Sequence, residues 1–140
     1  SMTSPVEIAL LLKSMPLFEH LSTRHLINLA HATHEESFPA QAVLCEEGDP
    51  GNCMYMVIEG EATVSIGDRE LAEIGPQGFF GEMALFEGVP RSATVTATSS
   101  VRLLRLDRDD LMSLMEELPS IAIGLCRVLS RKLRNTNERT

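Results

Sequence analysis

The hydrophobic period changes twice along this chain, and that change restricts its fold more than any other feature. Up to about residue 36 the apolar residues recur at helical spacing. PVEIALLLKSM over 5–15 is one helix, ended by Pro16. A second starts after Ser22, a good N-cap, with Leu21 as its staple and Leu26, Ile27, Leu29 and Ala30 as its buried stripe. From Ala42 the period becomes two. The run to Cys45 closes on the turn EEGDPGN. CMYMVIEG then sets Met54, Met56 and Ile58 on one face and Tyr55 and Val57 on the other. EATVSI groups Ala62, Val64 and Ile66, and GD at 67–68 signals a hairpin into ELAEI. GPQG at 75–78 breaks that strand. SATVTAT sets Ala93, Val95 and Ala97 against three threonines, and VRLLRL is the last strand. Helical spacing returns over 108–118 after Asp107, read as an N-cap. Pro119 interrupts, and a final helix runs from Ser120 to Asn135. Its apolar set is Ile121, Ala122, Leu125, Cys126, Leu129 and Leu133, with Arg127, Arg131 and Arg134 on the opposite face. Short alternating strands segregated from helices give an α+β fold, an antiparallel β-roll of jelly-roll type flanked by helices. They exclude a doubly wound sheet.

The 140 residues fit one domain. A net charge of −8 with six aromatic residues and no Trp argues against DNA or RNA as a general partner. The basic residues gather late: Arg127, Arg131, Lys132, Arg134 and Arg139 face one acid, Glu138. That helix is either a solvated face or a surface that meets a partner. Cys45, Cys53 and Cys126 have unrelated spacings and read as free thiols of a reducing cytoplasm, with Cys45 and Cys126 as packing residues. No apolar run is long enough to span a membrane, and no signal peptide opens the chain. Ser1 before Met2 resembles a cloning remnant, so the chain reads as a piece of something longer.

The chemistry concentrates in GFFGEMALFEGVPRSATV, residues 78 to 95. Gly78 and Gly81 permit close backbone approach, and EMAL has room for about one helical turn before Gly88. A glycine leading into a helix start offers backbone N–H groups to a phosphate. Arg91 adds a guanidinium fork that matches phosphate oxygens, Pro90 fixes its approach, and Ser92 adds a hydroxyl. The alternative for Arg91 is a surface ion pair with Glu87. Glu82 would repel a bare phosphate but serves a ligand that also carries hydroxyl donors, as a ribose does. Its alternative role is to favour the start of the helical turn.

FFGEMALFEGVPRSATVTA resembles the phosphate-binding cassette of the cyclic nucleotide-binding domain family. PLFEHLS and EEGDPGNCMYMVIEGEATV resemble that family's N-terminal helices and first glycine turn and strands. The resemblance implies one such domain over 1–140: helices over 5–36, a β-roll over 37–107 with its cassette at 79–93, and hinge and lid helices over 108–138. It implies that Arg91 pairs with the cyclic phosphate and Glu82 with the ribose hydroxyl. Gly81, Met83 and Ala84 would line the sugar-phosphate, Ser92 and Ala93 would close the pocket, and Val64 would touch the base. Three positions depart from the pattern. Gln41 stands where a turn glycine is common and implies strain there. Gln77–Gly78 replace a common Gly–Asp pair and imply a looser approach to the cassette. Ser92 replaces a Thr associated with guanine preference, which favours cAMP over cGMP.

The implied function is a cytoplasmic regulatory module, without cofactor, that binds a cyclic nucleotide and signals by repacking its C-terminal helices. Leu129 or Leu133 would cover the base. Its partners would be an effector domain of a longer parent protein, or a second copy joined through Ala122, Cys126, Leu129 and Leu133. The alternative is a fold of this type that has lost its ligand and serves protein interaction. An enzyme is disfavoured. His20, His25, His31 and His34 all precede the strands, whereas a cupin-type roll needs histidine ligands inside it, and no metal set is evident.

Overall fold

The computed structural model describes residues 3–139, with the side chains of Lys132 and of 137–139 outside that description. The remnant read at Ser1–Met2 also lies outside the described residues. The chain forms two compact units: residues up to Ala32 together with those from Asp110, and residues 33–109.

In the helical unit, α1 (Pro5–Lys13) opens on Ser4, whose Oγ accepts from the Glu7 amide at 3.2 Å, with Pro5 at the first helical position. A 3-10 turn over Pro16–Phe18 follows. α2 (Thr23–Ala32) is capped by Ser22, whose Oγ accepts from the His25 amide at 3.1 Å, so the cap read from the sequence is present. Leu12, Met15, Phe18, Leu26 and Leu29 form the fully buried centre. After α3 (Arg108–Glu117), α4 (Pro119–Arg139) takes Pro119 as its first residue, where the missing N–H has no partner to lose. The buried stripe of α4 is Ile121, Leu125 and Val128. This corrects the sequence reading: Cys126, Leu129 and Leu133 are exposed, the last two by 46% and 64%. Gly124 lies on the buried side, where a Cβ would sit 2.7 Å from Leu21 Cδ2.

The second unit holds eight strands: β1 (His34–Phe38), β2 (Val43–Cys45), β3 (Cys53–Glu59), β4 (Ala62–Ile66), β5 (Arg69–Ile74), β6 (Phe79–Phe80), β7 (Thr94–Ala97) and β8 (Val101–Asp107). They form two four-stranded antiparallel sheets, ordered β1-β8-β3-β6 and β2-β7-β4-β5. Both sheets contribute to one core. Val57, Phe80, Val101 and Leu103 come from the first, and Ala62, Val95 and Ala97 from the second. β3 pairs with β8 in regular register from Cys53 to Val57, and a bulge between Val57 and Glu59 interrupts the expected alternation at Ile58.

The boundary between helices and roll moves. The helix expected to fade near residue 36 ends at Ala32, and His34 already pairs with Arg105. HEESF has no apolar alternation to announce a strand. It is held by pairing with β8 and by ion pairs: Glu35 with Arg102 at 3.5 Å and Glu36 with Arg105. Arg102 also meets Glu59 at 3.2 Å, and these carboxylates raise its already high pKa.

Two turns carry glutamine in left-handed backbone, Gln41 at φ 76° and Gln77 at φ 70°. A side chain there costs about 1–2 kcal/mol. The strain expected at Gln41 is therefore present. The looseness expected at residues 77–78 is not, because the Gln77 amide donates to the Val57 carbonyl and the Val57 amide to the Gly78 carbonyl, both at 2.8 Å.

Candidate functional site

Within the β unit a cavity of about 310 Å³ opens beside the segment after β6. Gly81, Glu82, Met83, Ala84, Arg91, Ser92, Ala93 and Val64, the eight positions named from the sequence, all line it. EMAL forms the expected single turn, a 3-10 helix over Glu82–Leu85, with Ala84 and Leu85 buried as its anchor and Met83 exposed at the rim. Gly81 precedes it at φ 80°, and a Cβ there would clash with Arg91 Nη1 and lie 3.1 Å from the Cys53 carbonyl oxygen. Any side chain there would be strained by the left-handed backbone and would displace the Arg91 guanidinium.

The backbone of Arg91 is clamped by the turn before β3. Its amide donates to the Asp49 carbonyl at 2.7 Å, its carbonyl accepts from the Gly48 amide at 2.8 Å, and Pro50 bridges Pro90. Gly51 lies beneath; a Cβ there would be 3.3 Å from Arg91 Cδ and 3.0 Å from Ala84 Cβ. The side chain of Arg91 is half-buried rather than a surface group. Nη2 donates to the sulfur of Cys53 at 3.3 Å. Nη1 is buried and has no hydrogen-bond partner among the described residues. A buried guanidinium nitrogen without an acceptor is costly unless an anion comes to it.

Cys45, Phe80, Val89, Pro90 and Val95 also line the cavity, and the sequence does not assign them to the ligand. Cys45, expected as a packing residue, does lie against the core, yet it also lines the cavity, with its sulfur 3.8 Å from the Ala93 carbonyl. Burial raises its thiol pKa, opposed by the charge of Arg91. Phe80 stacks on Tyr55, centroids 5.2 Å apart. Burial raises the Tyr55 pKa, and the charge and side-chain hydrogen bond of Cys53 raise it further. The alternation of β2, β3 and β7 could have pointed Cys45, Cys53 and Val95 inward. The packing of the two sheets that brings Cys45 and Cys53 near Arg91 could not be read in advance.

The cavity combines a partly paired guanidinium and the backbone of a tight turn, which suit an anion, with a carboxylate that suits hydroxyl donors and with the apolar side chains of Val64, Phe80 and Val95. The cyclic nucleotide-binding domain model matches residues 35–118. A cyclic nucleotide-gated potassium channel of Mesorhizobium japonicum is 43% identical over 112 residues, covering 80% of this chain and 31% of the channel. A CRP-like cAMP-activated global transcriptional regulator of Mycobacterium tuberculosis is 34% identical over 128 residues, covering 86% of this chain and 56% of the regulator. Among solved structures, the N-terminal domain of a transcriptional regulator from Streptomyces coelicolor A3(2) superposes with a TM-score of 0.86 at 35% identity, covering 92% of this chain and 94% of that one. The chain thus spans from a little under a third to a little over half of these curated relatives.

Proposed function

The chain belongs to the cyclic nucleotide-binding domain family, and from that premise we propose that its cavity binds a cyclic nucleotide, cAMP in preference to cGMP. Arg91 takes the cyclic phosphate, completing the hydrogen bonding of its buried Nη1. Glu82 accepts from the ribose 2′-hydroxyl, and Gly81, Met83 and Ala84 follow the sugar-phosphate with their backbone. Ser92 and Ala93 close the phosphate end, and Val64 lies under the base. The observation that carries this reading is the unpartnered Nη1 of Arg91 on a cavity shared with Glu82. The cAMP preference rests on Ser92 and on the similarity to the CRP-like cAMP-activated regulator of Mycobacterium tuberculosis.

The module is regulatory rather than enzymatic, takes no cofactor, and works in the cytoplasm or in the cytoplasmic part of a larger protein. Residues 1–140 act as one domain, and the nucleotide shifts the packing of the helices after Asp107 by its difference in affinity for two states. Its output goes to an effector domain or to a second copy through the last helix. The exposure of Cys126, Leu129 and Leu133 on α4 supports a protein partner there. Among the described residues no helix is long and apolar enough to cross a membrane.

Calorimetric titration tests the ligand. Micromolar or tighter binding of cAMP, weaker binding of cGMP, loss in Arg91→Ala and weakening in Arg91→Lys are expected, because lysine has no fork. Unchanged affinity in Arg91→Ala would remove the assigned contact.

A further inference from the structure

The far end of the Arg91 side chain is held by a sulfur. Nη2 donates to Cys53 Sγ at 3.3 Å, and Cys53 is only 6% exposed. The other terminal nitrogen, Nη1, is left against Gly81 with no acceptor among the described residues. The Cys53 carbonyl also lies next to Gly81, so one residue borders both the guanidinium and the glycine that makes room for it. Tyr55, two residues along the same strand, stacks on Phe80.

The geometry points to Cys53 as the positioning residue that aims the Arg91 fork into the cavity. This rests on the reading of that cavity as a cyclic-nucleotide site. Sulfur suits the task because it is a weak acceptor. It fixes rotation of the guanidinium without neutralising it, so the cation remains available to an oxyanion. A carboxylate in its place would take the charge that the phosphate needs. An aliphatic side chain would leave the fork to rotate, and ordering it would then be charged to ligand binding.

The test compares the unsubstituted chain with Cys53→Val, which keeps bulk and loses the acceptor, and Cys53→Ser, which keeps an acceptor. Binding of cAMP is measured for each, alone and combined with Arg91→Lys, and thermal unfolding is followed in parallel. Cys53→Val should bind about tenfold more weakly, and Cys53→Ser should recover most of the loss. In the Arg91→Lys background the valine substitution should cost nothing further, because no fork remains to be aimed. In the free protein, the Arg91 Nη proton resonances should be resolved in the unsubstituted and serine forms and averaged in the valine form. Equal affinities across the Cys53 variants would overturn the inference while leaving the binding site standing. So would equal losses in Val and Ser, or a valine penalty that persists beside Arg91→Lys. If the unsubstituted chain binds neither cAMP nor cGMP, the site reading fails, and this inference with it. Should Cys53→Val not fold, Cys53→Ala takes its place in the same comparisons.

Discussion

Two side chains near Arg91 hold their protons further up the pH scale than usual. Cys45 lies above its ordinary 9.0 and Tyr55 above its ordinary 10.0, with burial the largest cause in each case. Both bind the proton more tightly folded than unfolded. The stability they contribute is therefore whole below the unfolded values and is lost as pH rises through the folded ones. The urea midpoint should stay level from neutral pH to about 9 and fall toward about pH 11. Cys45→Ala should blunt the first part of the fall, and a midpoint level throughout would contradict the assigned burial. The site was legible in the sequence where its residues were neighbours in the chain. Gly81, Glu82, Arg91 and Ser92 sit in one short stretch, so their combined chemistry could be read directly. Cys53 was not legible because it meets Arg91 across 38 positions of chain, through a tertiary contact that local pattern does not reveal.

At the level of elements, α4 carries two apolar stripes at helical spacing, and periodicity alone cannot choose between them. The sequence pattern joins Ile121, Ala122 and Leu125 to Cys126, Leu129 and Leu133; in the fold the buried apolar side chains of the helix, among the described residues, are Ile121, Leu125 and Val128. Gly124 lies on the buried side, close against Leu21. Leu125→Ala should cost about 2–5 kcal/mol of stability, and Leu133→Ala, at an exposed position, less than about 0.5 kcal/mol. Denaturant unfolding of the two variants checks this, and equal losses would contradict the assignment of faces. β1 marks the other limit of the sequence. A strand of His, Glu and Ser is stabilised by arginines on β8 that lie far along the chain, Arg102 for Glu35 and Arg105 for Glu36. The roll itself was legible because each central strand carries its own alternation and turn.

For the whole molecule, the helical unit is assembled from both ends of the sequence. Ser120 meets His25 at 3.1 Å and Arg131 meets Glu19 at 3.9 Å, while the roll is one continuous segment between them. The stripe left outside on α4 has the spacing of a helix pair, with Cys126 on its seam. If the last helix pairs in parallel with its own copy, mild oxidation should give a dimer that reductant reverses. Cys126→Ser should abolish it and Leu133→Glu should suppress it. A chain that stays monomeric under oxidant would leave the exposed stripe to a different protein. One last property follows from the stacked pair beside the cavity. The chain contains no Trp and a single Tyr, and that ring rests on Phe80, which lines the cavity. Its near-ultraviolet emission thus originates one side chain away from the place where a nucleotide would sit, and the protein carries its own optical gauge of occupancy without any attached dye.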